Sequence, residues 1–325
     1  MNERENAPRA GSLIERQISS VCLGASAVTI LSLVAQILLI VILAYAVPSA
    51  KEAGWYTVAV SSIPMYLVAM PLSYFLFRFG KVFAPPQGKK LPIGVLLGLL
   101  AVSFGIAMLG GWLGNAVQAV ISALTGKVAV NPVETMTMNT PLWANLLFCG
   151  ILAPVAEEIV YRKLVIDRLL PLGELPAVLL SGLLFGLIHG NFNQVFYATL
   201  CGFLAGFVYV YTGKLRYTIA LHTAVNLVGG VVSTEIIRAL GGSAAASDLS
   251  ARLSDHPVAA SLYIAYVALM LLSVFVTPLV LFALRKRLVL QKYADALSLP
   301  QIGRALVRNP ALWLLAVILA LMFLV

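Results

Sequence analysis

Residues 141–170 read PLWANLLFCGILAPVAEEIVYRKLVIDRLL, and two opposed properties meet in them. The run Trp143–Ala156 is apolar enough to enter hydrocarbon, and Glu157 and Glu158 follow it with no turn signal before Pro171–Gly173. Ionisable groups at such depth are costly, and they normally face a bundle interior or a wet cavity. The stretch therefore predicts a membrane-spanning helix with two inward carboxylates. The bland alternative is a pair of interfacial acids, with Glu158 held by Arg162 at i,i+4.

Composition supports the membrane. Of 325 residues, 61% are hydrophobic and 11% charged, and the mean hydropathy is +0.96. A soluble domain carries about 25% charged residues, so the solvated surface of a soluble chain cannot be built here. A span needs about 20 apolar residues, and nine candidate segments are legible, near 21–46, 54–77, 91–124, 141–160 (its helix continuing to about 170), 176–190, 193–211, 217–232, 257–284 and 311–325. The third is expected to bend or turn interfacial at Gly110–Gly111. The fold class is thus an all-α, polytopic transmembrane helix bundle of about eight or nine spans, with its core in the fourth to seventh. The expected organisation is an N-terminal cytoplasmic tail (1–20), N-terminal spans and loops (21–139), a core (140–232), an external loop (233–256) and C-terminal spans with a cytoplasmic basic loop (257–325). The stretch 126–140 reads as a loop, and 288–307 as an amphipathic surface helix.

The net charge of +9 has a topological reading, because basic residues collect on cytoplasmic loops. With the N-terminus (Arg4, Arg9, Arg16) inside and the sides alternating, 18 basic residues fall inside, among them Arg78, Lys89, Lys214 and the cluster Arg285-Lys286-Arg287 with Lys292. Four fall outside: Lys51, Lys127, Arg238 and Arg252. That split predicts a multi-pass protein of the cell membrane, N-terminus cytoplasmic. The expected partners are membrane lipid and a peptide or protein at the membrane, and no nucleic acid. Cys22, Cys149 and Cys201 lie in or beside apolar runs and in odd number, which argues against a disulfide framework. No cleavable signal is expected.

The chain has three histidines. His256 falls in the 233–256 stretch, whereas His189 and His222 lie inside apolar segments. A lone membrane histidine is often just an interhelical donor, but two of them beside two deep acids make a set. Glu158 lies 15 residues before Gly173 and His189 lies 15 after Glu174, so a hairpin turning there puts both at one depth. Asn226, at i+4, shares a face with His222. Glycines at 182, 186 and 190, and at 202 and 206, form stripes that let membrane helices approach closely.

A carboxylate beside a neutral imidazole, both withdrawn from water, can hold and deprotonate a water molecule. Glu157 is the expected base, with His189 positioning the water. His222 and Asn226 suit an oxyanion pocket, and Glu158 and Arg162 orient the helix or bind a substrate carboxylate. The expected chemistry is peptide-bond hydrolysis within or at the membrane. Two His and one or two Glu would also suit Zn²⁺ with an open position, so zinc stays an alternative. The absence of HExxH and of a nearby Cys favours a mechanism without metal.

The motifs carry a resemblance. Glu157-Glu158-Ile-Val-Tyr161-Arg162 is similar to the EExxYR motif of the CAAX-protease and bacteriocin-processing (CPBP, or Abi) family. Phe185-Gly-Leu-Ile-His189 resembles its FxxxH motif, and His222-Thr-Ala-Val-Asn226 its HxxxN motif, in the same order. The resemblance covers about residues 140–232. It implies a glutamate-dependent intramembrane endopeptidase similar to the type II CAAX prenyl protease. Glu157 and His189 would activate water, His222 and Asn226 would stabilise the oxyanion, and Glu158 and Arg162 would support them. Family members have been described as metal-dependent and as metal-independent. The competing expectations are a non-catalytic membrane partner, such as a bacteriocin-immunity protein, and an ion-coupled transporter.

Overall fold

A computed structural model of the chain describes residues 3–85, 90–126, 131–242, 249–286, 289–291 and 297–324. Among the described residues all regular structure is helical. The helices are α1 (Glu3–Ala46), α2 (Tyr56–Phe77), α3 (Ile93–Thr125), α4 (Pro132–Asn139), α5 (Leu142–Leu172), α6 (Glu174–Leu187), α7 (Phe192–Thr212) and α8 (Leu215–Ala239). Four more follow: α9 (Leu249–Asp255), α10 (Pro257–Leu284), α11 (Leu299–Arg308) and α12 (Pro310–Met322).

All nine apolar segments are helical, and the chain is a polytopic helical bundle. Seven of the described helices (α1, α2, α3, α5, α7, α8 and α10) are long and apolar enough to cross a membrane, and α11 with α12 makes an eighth if that pair is one span bent by 76°. The fifth segment becomes α6, of 14 residues, which is shorter than a full span. Apolar side chains point outward as well as inward: Leu33, Leu38 and Ile42 of α1 and Phe275, Leu279 and Phe282 of α10 are exposed. Full burial meanwhile includes Gln17, Arg162 and Asp167. Polar groups inside and hydrocarbon outside is the arrangement a lipid solvent selects.

Several local expectations are corrected. Gly110–Gly111 does not break the third segment: α3 runs as one helix of 33 residues, and Gly110 is the point where α3 meets the backbone of Tyr197 on α7. The supposed loop at 126–140 contains α4, capped by Asn131, whose side chain accepts from the backbone of Val133 and Glu134. The supposed loop at 233–256 contains the last turns of α8 and, after Gly242, α9. The tail is helical from Glu3, continuous with the first span. Of the surface helix expected at 288–307, the described residues contain α11 (Leu299–Arg308), with Ile302 buried while Gln301, Gly303 and Arg304 are exposed; residues 288 and 292–296 lie outside the described residues. The basic residues Lys89, Lys127, Arg287 and Lys292 lie outside the described residues. The three cysteines are free thiols.

α7 is the central helix, packed against α6 on one side and α3 on the other. The glycine stripes explain the first contact. A Cβ at Gly182 would come within 2.7 Å of the Phe203 backbone nitrogen, and one at Gly202 within 2.8 Å of the Gly182 Cα, so the helices touch backbone to backbone. Such proximity replaces the hydrophobic drive that is missing between helices in lipid. The largest apolar core joins α1, α2, α5, α6, α7 and α12 through residues such as Ile18, Phe77, Ile166, Phe185, Tyr209 and Leu319. A second core joins α3, α7, α8 and α10 around Leu99, Val208, Leu221 and Leu284.

Candidate active site

α5 carries Glu157 and Glu158 at its middle, and these neighbours point to different partners. Glu158 is 1% exposed and both its oxygens bond Arg162, one turn on: Arg162 donates from Nε to Oε2 at 2.9 Å and from Nη2 to Oε1 at 3.2 Å. Arg162 also donates from Nη1 to the Ser181 hydroxyl of α6 at 3.0 Å, and that hydroxyl donates to the Tyr161 carbonyl at 2.7 Å. A buried charge pair needs further hydrogen bonds to survive, and the Ser181 hydroxyl accepts one from Arg162 while His222 supplies one to Glu158. Of the two roles expected of Arg162, orienting its helix or binding a substrate carboxylate, the geometry matches the first: the guanidinium is 0% exposed and its bonds hold α5 to α6.

Glu157 faces the other way. Its Oε1 accepts from the Tyr66 hydroxyl of α2 at 2.7 Å, and its Oε2 lies 3.7 Å from His222 Nε2 of α8. His222 Nδ1 stands 3.1 Å from Glu158 Oε1. An ionised carboxylate only accepts, so Nδ1 carries a proton and, in the neutral ring, Nε2 is the lone-pair nitrogen. His189 sits just beyond the end of α6, with Nδ1 at 2.7 Å from the Phe185 carbonyl. The same reasoning leaves its Nε2 unprotonated in the neutral ring. Asn226 donates from Nδ2 to the Cys149 carbonyl at 2.9 Å.

Phe185 is the steric centre. Its ring meets those of Tyr161, His189 and His222 edge-on at 5.0, 5.1 and 5.5 Å, with the Arg162 guanidinium 5.3 Å from its centroid. Edge-to-face contacts of this kind fix ring planes. Three of the surrounding helices, α2, α5 and α8, contain π-helical stretches next to the site: Pro64–Ala69 around Tyr66, Asn145–Leu152 before the glutamates, Ile159–Ile166 around Arg162, and Leu227–Val232 after Asn226. Such turns are rare and concentrate where function re-aims side chains.

Glu157, Glu158, Arg162, His189, His222 and Asn226 all line one cavity of about 820 Å³, so every residue singled out in the sequence meets in one place. Its walls include apolar residues such as Met65, Phe148 and Met270, and polar ones such as Asn115, Asn193 and Ser233. Tyr66 and Ser181 escape a sequence reading. Pro64 ahead of Tyr66 is the one local signal, and Ser181 is inconspicuous beside Gly182. Zinc fits poorly. Glu158 is held by both Arg162 and His222, and among the described residues no three His, Cys, Asp or Glu side chains gather as ligands for one ion.

Comparison with known proteins agrees with the motifs. The family "Type II CAAX prenyl endopeptidase Rce1-like" matches residues 139–228. A protein of Bacillus subtilis (strain 168) named "Putative membrane peptidase YdiL" is 22% identical over 153 residues, covering 47% of this chain and 62% of its own length. The chain thus spans less than two thirds of that relative. No solved structure matches. Both matches agree with the CAAX/CPBP resemblance that the motifs carry.

Proposed function

We propose that the protein is an intramembrane endopeptidase in which Glu157 is the general base. The observation that carries this reading is the unequal treatment of two adjacent glutamates. Glu158 is locked by Arg162 and His222, while Glu157 holds one tyrosine hydroxyl and turns its second oxygen to the cavity beside an imidazole. Glu157 Oε2 and neutral His222 Nε2 are both acceptors, and a separation of 3.7 Å is one that a water donating to both would bridge. Water held this way keeps a lone pair for attack on a peptide carbonyl.

In the hydrolytic step Glu157 takes a proton as the water oxygen bonds the carbonyl carbon, and the carbonyl oxygen becomes the oxyanion. Asn226 has a second Nδ2 proton beyond the one given to Cys149, which suits it to that oxyanion. The C–N bond then breaks, and the proton held by Glu157 passes to the leaving nitrogen. His189 offers Nε2 to the same cavity and steers the water or the departing amine. His222 thus moves from the oxyanion side, where its spacing with Asn226 suggests it, to the water's side. No step is routed through a metal.

The substrate class is a peptide or protein segment lying in or at the membrane, and the similarity to prenyl endopeptidases supports CAAX-type processing. The excess of basic residues supports a cytoplasmic N-terminus. The stretch 140–232 is the catalytic core, flanked by spans that shape access. The decisive test is purification in detergent with a panel of fluorogenic membrane peptides. Wild type should cleave at least one of them and Glu157→Ala none; undiminished cleavage by Glu157→Ala would sink the mechanism.

A further inference from the structure

We infer that Tyr66 is a positioning residue for the reaction: it fixes Glu157 and aims its Oε2 at the water site. The inference rests on the endopeptidase reading above and extends it to a helix outside the family-matched stretch 139–228.

Glu157 has a long, freely rotating side chain, and a base must hold its reacting oxygen to within a fraction of an ångström. The Tyr66 hydroxyl supplies that constraint, donating to Oε1 at 2.7 Å. The bond is one-directional, because a carboxylate can only accept. It also outlasts the proton transfer. When Oε2 takes the proton from water, Oε1 remains an acceptor, so Glu157 keeps its orientation while it passes the proton on.

Tyr66 is itself well anchored. It lies in the π-helical stretch Pro64–Ala69, and its ring packs with Met65 and Ala156 against the large core shared by α1, α2, α5, α6, α7 and α12. The phenol is therefore a rigid arm from the N-terminal helices, with its tip on the cavity wall beside Glu157. A purely structural tyrosine could bond any nearby carbonyl. This one instead takes one oxygen of the glutamate proposed as the base and leaves the other facing His222.

The test is Tyr66→Phe in the full chain, purified in detergent and assayed on a membrane peptide that wild type cleaves. The variant keeps the ring and its packing and loses only the hydroxyl. Misplacing a reacting group by about 1 Å costs about a hundredfold in rate, so kcat should fall by about ten- to a hundredfold, with KM and the thermal midpoint unchanged. A wild-type kcat in Tyr66→Phe, with Glu157→Gln inactive, overturns this assignment and leaves the peptidase reading intact. A fall in kcat matched by a lower thermal midpoint or a raised KM makes Tyr66 a packing or binding residue and also overturns it. A wild type that cleaves nothing, or an active Glu157→Gln, overturns the peptidase reading and this assignment with it.

Discussion

Glu158 and Arg162, one helical turn apart on α5, are joined through both carboxylate oxygens while neither is more than 1% exposed. Glu157, one residue earlier, has no share in that pair and faces the cavity. Adjacent residues on a helix point about 100° apart, so the EE dipeptide can give one carboxylate to the scaffold and the other to chemistry.

That division predicts opposite phenotypes for the same change. Glu157→Gln should keep the thermal midpoint and lose about 10²–10⁴-fold in kcat, the usual contribution of a general base. Glu158→Gln leaves Arg162 buried with its charge uncompensated, a loss of about 3–5 kcal/mol. It should appear first as a lowered midpoint in detergent and poor membrane accumulation. Thermal unfolding and single-substrate kinetics on the two variants separate these outcomes.

Gly110 and Gly111 offer a second contrast. A Cβ at Gly110 would collide with the Tyr197 backbone of α7, whereas at Gly111 nothing lies within 4 Å. Gly110→Ala should force α3 from α7, lower the midpoint and, because Tyr197 lines the cavity, reduce cleavage. Gly111→Ala should be neutral or gain up to about 1 kcal/mol from helix propensity. Equal midpoints for the two variants would contradict the close α3–α7 contact.

The last helix braces the turn that carries His189. Gly190 has φ +64° and sits against Met322, and Phe192 meets Phe323 with ring centroids 5.0 Å apart. Gly190→Val would combine a strained left-handed backbone with a clash against Met322. It should cut cleavage by at least the roughly hundredfold expected of a misplaced catalytic group. Phe323→Ala relaxes only the brace, and a smaller loss of cleavage is expected. Full activity in Gly190→Val would show that the turn tolerates rearrangement.

Chelation is the fourth test. Among the described residues no three His, Cys, Asp or Glu side chains gather around one point, and the proposed mechanism uses Glu157 Oε2 and the His222 Nε2 lone pair for water, so wild-type cleavage should survive a strong zinc chelator. Loss of activity restored by zinc would overturn the metal-free mechanism and put the ion on open Nε2 and carboxylate atoms of the cavity, with the Nδ1 bonds of both histidines kept.

How much of this was legible beforehand follows from the range of the interactions involved. The membrane bundle, the odd depth of Glu157 and Glu158 and the Glu158–Arg162 pairing are properties of composition and of i,i+4 spacing, which a linear sequence displays. The meeting of α6 and α7 is half-legible: the stripes at Gly182 and Gly202 announce a close approach, but the partner of each stripe is not encoded locally. Gly110–Gly111 misleads as a bend, because in sequence a glycine that admits a neighbouring backbone looks the same as one that breaks a helix.

By itself, the sequence determined the solvent, the helices and the identity of six residues that gather at one cavity, because hydropathy and helical periodicity are local quantities. Only the tertiary structure decided which glutamate is locked and which is free, that His222 stands between them, that Phe185 sets the planes of both imidazoles, and that Tyr66 reaches Glu157 across 91 positions of chain. Those relations depend on side-chain direction and on distances of about 3 Å between different helices. No spacing along one strand of residues specifies them until the helices are packed.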